Sequence, residues 1–357
     1  MRVEQGLQRP TEMPSAGTAL KDVAAASLSL SGLLYGVAGV SVSPAFGLAG
    51  TGRSQIEREV VIPSHGGRHL AGTLTLPAES RGPFGAALSL TGSGPHFRDG
   101  NRTPTHPYQP FREIAAALAR KGVAMLRLDD RGVGGSSGDA NATTGDDVAD
   151  DASVAIAWLR AQPEIDAARV AVIGHSFGGE VAPLVAANDP RVAAVVLMAA
   201  PAVSFRETMR YQHRYRIEND KTIPADRRAE ALEAAMRQQE INVAASVEKW
   251  RPWSQDRDPL PTARRVRCPV LILQGTTDRA VAPAEAGLLA GVIRGAGNTR
   301  VTLRVFESLN HHFQIDPVGA TDRYDDLPSQ ALAPQFLDAL SLWLSQTLRP
   351  LSPGGRP

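Results

Sequence analysis

The chain has 357 residues, with 38 Lys and Arg against 37 Asp and Glu, a formal charge of +1. That balance, without dense basic runs or interleaved aromatics, excludes a polyanion-binding protein and points to no nucleic-acid partner. A single cysteine, Cys268, excludes an intramolecular disulfide and any multi-cysteine metal site.

Residues 1–53 read as a leader or possible signal segment. No charged residue lies between Val23 and Gly52, and Arg2, Arg9 and Lys21 precede that stretch. The pattern suits an export signal with a long basic region, cleaved near Ser43–Ala45 or Gly47–Ala49, and export is favoured over a cytoplasmic location. Ser and Gly dilute the apolar run, so a stable membrane span is not expected.

From residue 54 the pattern becomes regular. Ile56–Ile62 and Leu70–Leu76 read as strands around a Gly-rich turn, and Gly85–Thr91 as a third. Phe111–Lys121 has helical spacing and stops at Gly122, and Val123–Leu128 is a continuous apolar strand. Asp146–Leu159 is a helix with an acidic first turn. Val170–Ile173, Val192–Met198, Val270–Leu273 and Val301–Phe306 are further strands, with helices at Ala282–Ile293 and Pro334–Leu348. Apolar strands alternating with helices predict an α/β fold with a mostly parallel sheet covered on both faces. Residues 202–267 break the alternation: they are rich in Arg, Glu and Gln, with a helical stretch at Asp226–Gln239. They are expected to form a helical cap over a core of residues 54–201 and 268–350, above the strand ends where such folds bind ligands.

Gly174-His175-Ser176-Phe177-Gly178 fits G-x-S-x-G between a strand and a helix. That setting holds a serine in a tight turn at a helix N-terminus, and makes Ser176 the candidate nucleophile. A serine hydroxyl needs a base, and the order Ser…acid…His calls for a late histidine, either His311 or His312. Asp278, after the preceding strand, is the candidate acid that holds the tautomer of that ring. The oxyanion would be met by the backbone N–H of Phe177 and of Ser93 in Thr91-Gly92-Ser93-Gly94-Pro95. Gly92 and Gly94 let the backbone approach a substrate. His175 should turn away from the Ser176 hydroxyl and line the substrate site. Trp250 and Trp253 would suit an apolar acyl or alcohol group if they face the pocket, although packing against the core is their first reading. No metal, flavin or nucleotide is implied, and the adjacent histidines lack the acidic or thiolate company of a metal site.

The segments TGSGPHFRDGN (91–101), LRLDDRGVGGSSG (126–138), IGHSFGG (173–179), CPVLILQGTTD (268–278) and LNHHFQ (309–314) together resemble bacterial α/β-hydrolase esterases related to serine-peptidase-like hydrolases. The likeness spans roughly residues 55–347. It implies an α/β-hydrolase fold and favours His311, which follows Asn310 as the relatives' histidine does. It also implies that Asp130 and Arg131 brace the loop beside the site. Relatives often carry Asp where His96 or Phe97 stands. The expected activity is hydrolysis of a small-molecule carboxylic ester through an acyl-enzyme. A thioesterase or acyltransferase with the same residues is the alternative, and a non-catalytic binding protein the remote one. Oligomeric state is not legible.

Overall fold

A computed structural model describes residues 55–350, so the leader expected over 1–53 lies outside the described residues. Within them, strands β1 (Gln55–Pro63), β2 (His69–Pro77), β3 (Phe84–Leu90), β4 (Val123–Leu128), β5 (Ile165–His175), β6 (Ala194–Met198), β7 (Val270–Gly275) and β8 (Val301–Phe306) form one sheet. Its order is β1-β2-β4-β3-β5-β6-β7-β8. The β1–β2 and β2–β4 pairs are antiparallel, and the others are parallel.

Burial follows sheet position. β3 and β7 are buried at every residue, as apolar strands sandwiched between helices must be. β1 and β8, at the edges, are largely exposed or half-buried. One helical layer holds α2 (Gly145–Arg160), α3 (Phe177–Asn188) and α8 (Glu285–Gly295), and the other holds α1 (Pro110–Ala119) and α9 (Pro334–Thr347). α3 is apolar almost all round and fits only a central place. Thr144 and Asp147 close α2 with a capping box.

α8 begins at Glu285 rather than at the expected Ala282. Pro283 disfavours helical geometry at the residue before it, and the Glu285 carboxylate accepts the Ala282 N–H at 3.1 Å instead. Between β6 and β7 lie α4 (Phe205–Asn219), α5 (Arg228–Ala244), α6 (Trp250–Ser254) and α7 (Leu260–Ala263). Strand order reverses between β3 and β5, so the loops leaving their C-terminal ends flank a crevice, the usual ligand position in open α/β sheets.

Candidate active site

Ser176 sits between β5 and α3 with φ 53° and ψ −117°. A left-handed backbone at a residue with a side chain costs about 1–3 kcal/mol, and such strain clusters at functional turns. Two glycines permit the turn. A Cβ on Gly174 would overlap the Gly178 carbonyl, and one on Gly178 would overlap the Leu90 and Thr91 carbonyls of the β3 strand end. The Ser176 N–H donates to the Met198 carbonyl at 2.9 Å, tying the turn to β6.

Asp278 follows β7 and has no exposed surface. Its Oδ1 accepts the N–H groups of Ala280 and Val281, both at 2.8 Å. Its Oδ2 accepts Gln274 Nε2 at 2.8 Å and His311 Nδ1 at 2.9 Å. With Nδ1 donating, Nε2 of a neutral His311 ring is left as an acceptor. Ser176 and His311 line one cavity of about 300 Å³. Their side chains are not hydrogen-bonded to each other, a contact that commonly tightens only when substrate arrives.

The two late histidines have separate surroundings. His312 stacks on Tyr108 at 4.3 Å and tilts against Tyr324 at 4.6 Å. Burial drives its imidazole well below its ordinary pKa. Asn310 shapes the turn that carries both, since its Oδ1 accepts the N–H of His312 at 2.9 Å and of Gln314 at 3.0 Å. His175 lines the same cavity, and its Nε2–H donates to the His311 carbonyl at 3.0 Å. Burial, helped by the nearby His311, pushes its pKa down to about 3, so the ring is neutral at working pH.

Gly92 and Ser93 line the cavity, and a Cβ on Gly92 would lie 3.8 Å from the Ser176 Cβ. Gly94 does not line it; a Cβ there would face Arg102 and Glu248, and its backbone borders a second, smaller cavity. Phe177 and Trp250 line both cavities, their rings 5.4 Å apart. Trp253 takes the packing role that is its first reading, and does not line the cavity as a substrate contact would. It packs edge-on against Phe177 at 5.8 Å and donates from Nε1 to Asp146 at 2.9 Å, filling the space that the absent side chain of Gly145 leaves at the start of α2. The Asp130 carboxylate accepts the Thr91 hydroxyl at 2.8 Å and the His96 N–H at 2.9 Å, bracing the loop after β3. Arg131 instead pairs with Asp147 and Asp151 of α2.

Several cavity residues were not singled out as site residues from the sequence, among them Tyr108, Glu180, Phe205, Tyr324 and, though its loop was noted, His96. His96 Nδ1–H donates to the Gly94 carbonyl at 2.8 Å. Burial, then the charge of Arg102, holds its pKa down to about 4. Its place in the loop after β3 was a signal available in the sequence; the others come from helices and turns with no motif. Among the described residues, no three His, Cys, Asp or Glu side chains are placed to hold a metal ion, and no helix is long and apolar enough to cross a membrane.

The sequence matches the X-Pro dipeptidyl-peptidase (S15) family over residues 66–289. It is 27% identical over 278 residues to the esterase EstD of Thermotoga maritima, covering 77% of this chain and 65% of that protein. It is 33% identical over 150 residues to an uncharacterized protein of Mycobacterium tuberculosis, covering 42% of this chain and 47% of that one. The chain thus spans less than two thirds of the length of either relative. Its fold is similar to that of the Pyrococcus furiosus esterase Pf2001, with a TM-score of 0.54 and 17% identity over 82% of this chain and 93% of that one. The fold is therefore that of an α/β-hydrolase.

Proposed function

The chain belongs to the X-Pro dipeptidyl-peptidase (S15) family, and from that premise we propose that it is a serine esterase acting on small carboxylic esters, with Ser176 as nucleophile, His311 as base and Asp278 as the acid that orients His311. The observation that carries this reading is the buried Asp278–His311 pair, 2.9 Å long, lining one cavity with a serine held in a left-handed turn. In the acylation step His311 Nε2 takes the Ser176 proton as Oγ bonds to the ester carbonyl carbon. The carbonyl oxygen becomes an oxyanion facing the N–H groups of Phe177 and Ser93. Collapse expels the alcohol, protonated by His311, and water repeats the sequence to release the acid. The helices of residues 202–267 act as a cap, with Phe205, Thr208, Gln212, Trp250 and Ser254 among its residues on the cavity.

The test is hydrolysis of 4-nitrophenyl butyrate. Ser176→Ala should lower kcat by about 10⁴-fold or more while the protein stays folded, and a fluorophosphonate should label Ser176. Unchanged turnover in the variant, or labelling elsewhere, would falsify the assignment.

The family's name favours a second reading, release of X-Pro dipeptides. Ala-Pro-4-nitroanilide assayed beside the ester separates the two. Turnover of the anilide at a kcat/KM matching or exceeding the ester's replaces the esterase reading with the peptidase one.

A further inference from the structure

His175, next to the nucleophile, is held in one tautomer. Its Nε2–H donates to the His311 carbonyl at 3.0 Å, so Nδ1 of the neutral ring carries the lone pair. Burial, then the nearby His311, holds its pKa down to about 3, and the lone pair persists across the neutral range. Nδ1 has no hydrogen-bond partner among the described residues, and it is not one of the buried atoms left unmatched. It borders open space. An atom placed where a Cβ of Gly92 would sit lies 3.7 Å from His175 Nδ1, 3.8 Å from His96 Cε1 and 3.8 Å from Ser176 Cβ. These are ordinary contact distances, and no atom outside residues 91–93 comes nearer. Gly92, His96, His175 and Ser176 all line the cavity that His311 shares. Gly92 is not one of the glycines with positive φ. Its φ does not call for glycine, and the missing side chain keeps this place empty.

A group entering that place touches the Nδ1 acceptor and sits beside the nucleophile. The leaving alcohol must face His311 Nε2, which protonates it, and the carbonyl oxygen faces the Phe177 and Ser93 N–H groups. What remains this close to Ser176 is the acyl carbon next to the carbonyl and its substituents. Arg102 also lines the cavity, and after burial its charge is what lowers the His96 pKa. The cavity's carboxyl, Glu180, is already bonded to the Ser254 hydroxyl at 2.7 Å. A neutral donor therefore suits the place better than a cation. We propose that His175 is a specificity-determining residue whose Nδ1 accepts a hydrogen bond from a hydroxyl on the acyl carbon beside the scissile carbonyl, so that the preferred substrates are 2-hydroxyacyl esters. The inference rests on the esterase reading above. A site that bonds a hydroxyl discriminates against the analogue that cannot donate, because its acceptor is then left unpaired.

The experiment measures kcat/KM by pH-stat for ethyl lactate, ethyl 2-fluoropropanoate, ethyl propanoate and alanine ethyl ester, each chiral ester as separate enantiomers. Fluorine is close in size to a hydroxyl and activates the carbonyl more, but it donates no hydrogen bond. Wild type should prefer lactate over the fluoro ester by about tenfold or more for one enantiomer. His175→Gln places an amide N–H to reach the His311 carbonyl and removes the Nδ1 acceptor, so it should bring that ratio to near one. Gly92→Ala, which fills the open place and leaves His175 intact, should do the same. Both ratios are internal to a variant, and thermal melts show that each is folded. No lactate preference in wild type overturns the proposal, as does a preference for the alanine ester exceeding that for lactate. Equal losses on all esters in His175→Gln, with the lactate ratio kept, overturn it too, by making His175 only a brace for the His311 turn. The wild-type arm needs no variant to fold. If wild type fails on these esters and on 4-nitrophenyl butyrate, the esterase reading has failed; turnover of 4-nitrophenyl butyrate without lactate preference sinks the His175 role alone.

Discussion

Asp278 is matched on both oxygens, and that matching dictates what a neutral replacement would do. Asp278→Asn offers an amide donor where Gln274 and His311 now donate, so His311 Nδ1 loses its acceptor or flips tautomer. kcat on 4-nitrophenyl butyrate should fall by about 10⁴-fold. His311→Ala should cause a loss of that order, whereas His312→Phe, keeping an aromatic ring between Tyr108 and Tyr324, should lose less than about tenfold. Parallel kinetics on the two variants decide between the neighbours. His175 makes a prediction about stability. Its folded pKa of about 3 lies below the ordinary 6.5. On acidification the unfolded chain therefore binds the proton first, and stability present above about 6.5 is lost as pH falls toward 3. His175→Asn should make the unfolding free energy less steep over that window by about one proton, read from urea melts at successive pH values. At this scale the candidate serine, the candidate acid and a pair of candidate histidines were legible in the sequence, because short motifs carry them. It did not reveal Glu180, because an acid in a first helical turn looks the same whether it faces solvent or a cavity.

The strand–turn–helix unit β5–Ser176–α3 was legible because its demands are local: an apolar strand, small residues at Gly174 and Gly178, and an apolar helix. The close approach of Gly178 to the end of β3 makes a strong demand. Gly178→Ala must displace the Leu90 and Thr91 carbonyls or the helix itself. A stability loss of about 2–4 kcal/mol is expected in chemical denaturation, with activity lost even under conditions where the protein stays folded. The insertion between β6 and β7 was legible as helical from its polar composition. Which of its faces meets the core was not, because that depends on partners far away in sequence. Trp253 illustrates the gap: its seat is created by the missing side chain of Gly145, more than 100 residues earlier.

For the molecule as a whole, α4–α7 are joined to the strand ends through side chains that reach the candidate site. Tyr211 of α4 donates to the Asp278 carbonyl at 2.9 Å, and Trp250 packs between Phe177 and Phe205. Trp250 and Phe177 form part of the wall of both cavities. Trp250→Ala should open the larger cavity toward the smaller and raise the octanoate-to-butyrate ratio of 4-nitrophenyl ester hydrolysis. It should also destabilise the protein by about 3–5 kcal/mol. An unchanged chain-length profile would show that the two spaces do not communicate. The parallel arrangement was legible from apolar runs and the β1–β2 hairpin from its turn, but the antiparallel β2–β4 pairing and the strand order required the three-dimensional pairing. That order has a practical consequence. Ser176, Asp278 and His311 follow three strands, β5, β7 and β8, and the first and last are 135 residues apart in sequence. No segment shorter than 136 residues carries all three, so turnover would serve as a built-in reporter of the assembled sheet. In a denaturant titration, esterase activity and far-ultraviolet ellipticity should vanish at one midpoint.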